Sequence, residues 1–189
     1  MSNQTTTNYS ATGSSDILFS SERLHFCIPG RARDASVFDI FNDSLTMLPW
    51  LPMLCPMTDK DFHTRRELHR TQFQQSSLFL DLVERSTGIT IGTAGFRAIK
   101  KESAAAEWGI VISKEYQRQG YCTEAFASNV KFAASQLGVQ TITASTLPTN
   151  TRMVAFFEQI GMQVFQEVEH YGLNWIVFGK PNNIQKFLE

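Results

Sequence analysis

The chain has 189 residues, 42% of them hydrophobic, and a formal net charge of -1. That length suits a single domain with a substantial core, and so even a balance excludes an overall basic footprint for nucleic acid or an anionic membrane surface. Its longest apolar runs fall far short of the roughly 18 residues of a membrane helix, and the opening MSNQTTTNYSATGSSD lacks the basic-then-apolar order of a secretory signal, so a soluble cytoplasmic protein is expected.

Residues 1–16 are rich in Ser, Thr and Asn without apolar periodicity and are expected to form a disordered lead-in, with the domain over 17–180 and a C-terminal tail over 181–189. Ser20 to Ile28 alternates as a first strand, which Pro29-Gly30 ends. Asp34 is the expected cap of a helix with Val37, Phe38, Phe41 and Leu45 on one face. From Met47 to Met57, Pro49, Pro52 and Pro56 stand among large apolar side chains, which excludes a regular helix or a central strand and predicts a loop. Such a loop packs back on the core, lines a substrate pocket with Trp50 and Met53, or does both. Thr58 with Asp61 starts a second helix running to about Gln75, whose Arg65, Arg66, Glu67 and Arg70 are expected on a solvated face.

Leu78 to Glu84 and Ile89 to Ile99 read as strands joined by the turn Arg85-Ser86-Thr87-Gly88. Lys100 to Ser103 then leads into Glu107 to Ile112, a strand through its Trp, Ile and Val. Thr123 opens a helix with Ala125, Phe126, Val130, Ala133, Ala134 and Leu137 at helical spacing, stopped by Gly138. Between strand and helix, Gln117-Arg118-Gln119-Gly120-Tyr121-Cys122 forms a turn whose N–H groups aim outward at a helix N-terminus, an arrangement suited to a phosphate. Strand, glycine turn and helix also occur together with no ligand, so this pattern alone leaves both readings open. Val139 to Thr146 is a further strand, Asn150 caps a last helix bearing Met153, Val154, Phe157 and Ile160, and Gln163 to His170 and Leu173 to Phe178 close the chain as a hairpin at Tyr171-Gly172. The resulting order, βααβββαβαββ, is that of a mixed α+β layer fold. Cys27, Cys55 and Cys122 suggest no disulfide framework, and His63 and His69 are expected at the surface rather than as metal ligands; no metal is expected.

Gln117, Gly120 and Cys122 match the pattern Q/R-x-x-G-x-G/A, with Cys122 where Gly or Ala is usual. The turn thus resembles the acetyl-coenzyme A motif of the GNAT acyltransferases. Ser21-Glu22-Arg23-Leu24, Ile91-Gly92-Thr93-Ala94-Gly95, Gly120-Tyr121-Cys122-Thr123-Glu124-Ala125 and the pair Asn150 with Glu158-Gln159-Ile160-Gly161-Met162 resemble, in order, patterns of the RimJ/RimL branch of that superfamily. The resemblance implies a GNAT fold: a mixed, mostly antiparallel twisted sheet with helices on both faces and a central strand pair that splays to admit pantetheine. It implies acetyl-coenzyme A as cosubstrate and an amine acceptor, either a protein N-terminus or a small molecule, in a monomer or homodimer. The pyrophosphate would sit on N–H groups of Arg118, Gln119, Gly120, Tyr121, Cys122 and Thr123, supplemented by Arg118 or Gln117. Pantetheine would pair with the edge of Ile110, Val111 and Ile112. Asn150 would bond the pantetheine arm, cap its helix, or do both. Phe157 would pack against the coenzyme or belong to the core.

An alkylamine with a pKa near about 10.4 is almost wholly protonated at neutral pH, so a proton acceptor assists its acetylation. The resemblance puts Glu107 where the branch carries a carboxylate proposed as base; the plain alternative is a solvated strand-end glutamate. An N–H around Val111 would bond the thioester oxygen. The family's usual proton donors to the departing thiolate, a serine or a tyrosine after the asparagine, are here Met153 and Phe157. The acid is then absent, supplied by water, or supplied by Tyr116 or Tyr171, and a non-catalytic acyl-coenzyme A-binding module is the alternative to a transferase.

Overall fold

The computed structural model describes residues 16–47, 52–179 and 184–187; the expected lead-in therefore lies outside the described residues, apart from its last one. The chain opens with β1 (Ile17–Ser20) and β2 (Leu24–Cys27), then α1 (Asp34–Asn42), α2 (Ser44–Met47) and α3 (Asp59–Thr71). There follow β3 (Leu78–Glu84), β4 (Thr90–Lys100), β5 (Ala105–Ile112), α4 (Tyr121–Leu137), β6 (Thr141–Thr146), α5 (Thr151–Gln159), β7 (Gln163–His170) and β8 (Leu173–Gly179). One 8-stranded sheet runs in the order β1-β2-β3-β4-β5-β6-β8-β7. All its pairs are antiparallel except β5 with β6, which α4 connects as a crossover.

Strand β3 shows how the layers form, because all of LFLDLVE is buried. Leu78, Leu80 and Leu82 belong to a core with Ala125, Phe126, Val130 and Ala133 of α4. On the opposite face of the strand, Phe79 meets His69 of α3 at 5.1 Å and Asp81 receives Arg66 of α3. Helices therefore cover both faces, and a smaller cluster of Val37, Phe41, Met47, Met57 and Phe62 fills the second one.

Several sequence expectations change here for local reasons. Ser20 to Ile28 is two strands, because Ser21 N–H bonds Leu24 O at 2.9 Å and turns the chain back on itself. Asp34 is not a side-chain cap; its carboxylate bonds Arg66 and Arg70 instead. The helix breaks at Asp43, whose oxygens accept from the N–H groups of Leu45 and Thr46, so Leu45 leaves the apolar face and is 65% exposed. Met47 ends α2 and is buried, and Pro52–Leu54 is a 3-10 turn. Helix α3 starts at the expected cap, with Asp61 N–H on Thr58 Oγ1 at 3.1 Å, but ends at Thr71 rather than Gln75.

The charged face of α3 is not wholly solvated. Arg66 is 2% exposed and lies between Asp34 and Asp81. His69, expected at the surface, is half-buried beside Phe79, and burial together with Arg65, Arg66 and Arg70 pushes its pKa down to about 3. Beyond the expected domain end, Ile184 is buried and Phe187 packs edge-on against Phe126 at 5.2 Å.

Candidate active site

The site follows from a sheet that opens. Strands β5 and β6 pair in register from Ala105 with Thr141 to Trp108 with Ala144, and the pairing goes no further. Beyond that point β5 stays on β4 through Ile112, while β6 stays on β8 through Thr146. Gly109, Ile110, Val111 and Ile112 are thus left with a free edge facing a cavity of about 320 Å³. Glycine lets β4 lie close along the paired edge of β5, away from this wedge, since a Cβ on Gly92 would come within 2.1 Å of Val111 O.

At one end of the cavity is the glycine turn. Arg118 and Gly120 both take left-handed conformations, φ 62° and 82°, and bring the chain from the end of β5 to the start of α4. Helix α4 begins at Tyr121, earlier than the expected Thr123, so the N–H groups of Tyr121, Cys122 and Thr123 form its first turn and have no preceding turn to bond. Arg118, Gly120, Tyr121, Cys122 and Thr123 line the cavity together with Arg152, which sequence reasoning missed. Gln117 also lines it, though its amide donates to Ile112 O at 2.9 Å and so ties the turn to the strand end. Gln119 does not line it, and its amide donates to Glu115 O. Burial pushes the Cys122 thiol up to about 12, so it packs there as a neutral group.

A clamp fixes this turn. Glu124 accepts from Ser21 Oγ at 2.6 Å, from Arg23 N–H at 2.7 Å and from Arg23 Nε at 2.7 Å. Arg23 also donates to Gln119 O at 2.8 Å and lies over the Tyr121 ring at 4.4 Å. Burial raises the Glu124 pKa, but the hydrogen bonds from Ser21 and Arg23 outweigh it and the net direction is down. Two of the motifs separated in sequence are therefore one contact in the fold.

Asn150, Met153, Phe156 and Phe157 also line the cavity. Asn150 Oδ1 accepts Met153 N–H at 3.1 Å and caps α5, while its Nδ2 has no hydrogen-bond partner among the described residues. Phe157 is 2% exposed, ringed by Trp108, Phe156 and Phe178, yet it borders the cavity as well.

A second cavity of about 330 Å³ adjoins the first through shared walls at Arg65, Arg97, Ser145 and Trp175. Leu54, Glu107, Val168, His170 and Tyr171 complete it. Glu107 is held through Oε1, which accepts from Arg97 and from Ser145 Oγ at 3.0 Å; Oε2 has no partner among the described residues. Neither Arg97 nor Ser145 carried a sequence signal, because each faces Glu107 only through strand pairing. Met53 lies in the 3-10 turn beside Leu54, and Trp50 lies outside the described residues. Among the described residues, no cluster of His, Cys, Asp and Glu could hold a metal, and no helix is long and apolar enough to cross a membrane.

Comparison with known proteins agrees with this architecture. The profile of the family described as Acetyltransferase (GNAT) domain matches residues 23–163. The chain belongs to that family, a family of acyltransferases. Over 82 residues it is 26% identical to the uncharacterized N-acetyltransferase p20 of Bacillus licheniformis; the match covers 43% of this chain, which spans about half, 46%, of that relative's length. Its fold is that of RimL, a ribosomal L7/L12 alpha-N-protein acetyltransferase, with TM-score 0.78, 11% identity and coverage of 92% of this chain and 98% of RimL. It is likewise that of the spermidine N-acetyltransferase of Vibrio cholerae in complex with coenzyme A and spermine, with TM-score 0.73, 14% identity and coverage of 89% and 100%. The GNAT fold of RimJ/RimL type expected from the sequence is thus borne out.

Proposed function

We propose that the protein transfers the acetyl group of acetyl-coenzyme A to a primary amine by direct attack in a ternary complex. The observation that carries this reading is the halt of β5–β6 pairing at Trp108 and Ala144, which leaves a free strand edge along a cavity running from the glycine turn to Ser145. The pyrophosphate would take the N–H groups at the start of α4, with Arg118 and Arg152 beside it. Pantetheine would add as a strand to Ile110, Val111 and Ile112, with the free Nδ2 of Asn150 as a donor to its carbonyls. The thioester would then lie where the cavities meet, its oxygen near an N–H around Val111, and the amine would enter from the second cavity.

In this arrangement Glu107 is the proton acceptor, using Oε2 directly or through water, while Arg97 and Ser145 fix Oε1. Met153 and Phe157 leave the departing thiolate without a side-chain acid at the family's usual positions. A missing acid slows such a reaction by roughly 10²–10⁴-fold without abolishing the gain from holding the reactants together. Of the tyrosines, Tyr116 lines the coenzyme cavity and Tyr171 the acceptor cavity. The cytoplasm, where acetyl-coenzyme A is available, is the setting this reading requires.

The test pairs binding with turnover. Calorimetry should detect acetyl-coenzyme A binding to the wild type and little to Gly120→Glu, which adds bulk and negative charge at the turn. Glu107→Gln should keep that affinity and lower kcat by about 10²-fold or more, with the deficit shrinking at high pH as more amine is neutral. Equal coenzyme binding by wild type and a folded Gly120→Glu would move the phosphate elsewhere. Coenzyme binding with no acetylated product from any amine would instead favour the non-catalytic binding module.

A further inference from the structure

Arg65 stands apart from the other arginines of its helix and from its neighbour in the cavity. Arg66 is paired with Asp34 and Asp81, Arg70 with Asp34 and Glu67, and Arg97 with Glu107. Arg65 has no ion pair and no hydrogen-bond partner among the described residues, although its Nε is fully buried. Its guanidinium lies 5.3 Å from the Phe41 ring, and the residue borders both cavities at their junction. Burial, then the nearby Arg97, push its pKa down, yet an arginine remains a cation at any physiological pH.

A guanidinium partly withdrawn from water with its Nε unmatched carries a cost, and an oxyanion that pairs with the group offsets it. No carboxylate of the second cavity's described walls is within ion-pair distance of it. Glu107 is the single carboxylate among that cavity's described walls, and its bound oxygen is committed to Arg97 and Ser145. Two guanidinium groups against one carboxylate make these walls a poor place for a polycation and a good one for an anion.

We propose that the amine acceptor carries an oxyanion, a carboxylate or a phosphate, which Arg65 binds while the amine faces the thioester. This rests on the proposed function in taking the second cavity as the acceptor site. It assigns Arg65 as the residue that selects anionic amines over neutral ones and over polyamines.

The test reads binding of product-like ligands to protein saturated with coenzyme A, so it does not depend on turnover. N-acetyl-β-alanine is compared with its carboxamide, and N-acetyl-phosphoethanolamine with N-acetylethanolamine, by calorimetry. The acid of at least one pair should bind about 10-fold or more tightly than its neutral partner, and the pair that discriminates tells carboxylate from phosphate. Arg65→Met should bring that ratio close to one, Arg65→Lys should keep part of it, and coenzyme A affinity should be the same in all three proteins. No detectable binding of either acid, equal affinities within both pairs, a ratio unchanged in a folded Arg65→Met, or tighter binding of spermidine than of the acids would each overturn the proposal. If anions bind through Arg65 but no amine is acetylated, the transferase reading fails and the assignment of the anion to an amine acceptor falls with it, leaving only an anion site at Arg65. If neutral and anionic amines are acetylated alike with equal affinities, the transferase reading stands and this one fails.

Discussion

Asp81 has no exposed surface, and its two oxygens receive Arg66 at 2.6 and 2.9 Å and Arg33 at 3.0 Å. Removing the charge of a group so enclosed leaves two guanidinium groups facing each other across a neutral side chain, with only Asp34 on Arg66 and Asp16 on Arg33 as outer counter-ions. Asp81→Asn should therefore cost about 3–5 kcal/mol, read as a lower urea midpoint at unchanged slope; a loss under 1 kcal/mol would mean that water reaches the arginines. His69, next to this network, gives a pH signature. The unfolded chain binds its proton near the ordinary 6.5, whereas the native state refuses it down to about 3. The unfolded state thus holds more protons across that window, and stability falls as pH drops through it and is untouched above it. The slope is at most about 1.4 kcal/mol per pH unit for one proton. His69→Gln should flatten the dependence of melting temperature on pH between about 6.5 and 4; an unchanged curve would assign the acid loss to carboxylates such as Asp34 and Glu124, whose pKa values are also lowered.

The wedge between strands depends on β4 as much as on β5. Gly92→Ala would drive a methyl to 2.1 Å from Val111 O, a backbone atom that cannot step aside without moving the strand. The expected result is a folded but destabilised protein with coenzyme affinity lowered about 10-fold or more; wild-type affinity would show that the free edge of β5 tolerates displacement. Strands β3, β4 and β8 and the caps at Thr58 and Asn150 were readable because period, turn residues and cap chemistry are local. The opening strand was misread because what bends it at Ser21 to Arg23 is reinforced by Glu124, 101 residues away from Arg23. The α3 charges looked solvated for a similar reason, since the partner of Arg66 arrives from another element. A signal was present, however: Asp81 interrupts the apolar run LFLDLVE, and a carboxylate inside a buried strand needs a cation. At the site the glycine turn and Asn150 were legible, whereas Arg65, Arg97 and Ser145 become functional candidates only when the cavities bring them together.

Taken as a whole, the sheet has a seam. On one side lie β1 to β5 and on the other β6, β8 and β7, joined by four register pairs from Ala105 with Thr141 to Trp108 with Ala144 and by the helix α4 that spans them. On the proposed reading the coenzyme supplies the missing strand, so it should act as a stitch as well as a reactant. Amide hydrogen exchange over Gly109 to Ile112 should slow on adding coenzyme A more than exchange in β3, which is fully paired already. Saturating coenzyme at 100 times its Kd should stabilise the protein by about 2.7 kcal/mol; exchange slowed equally throughout would mean that the gain is not local to the seam. Such a seam makes folding and cosubstrate supply interdependent. A cell short of acetyl-coenzyme A would hold this protein in its more easily unzipped form, so its lifetime against proteolysis would track the availability of the very group it is proposed to transfer.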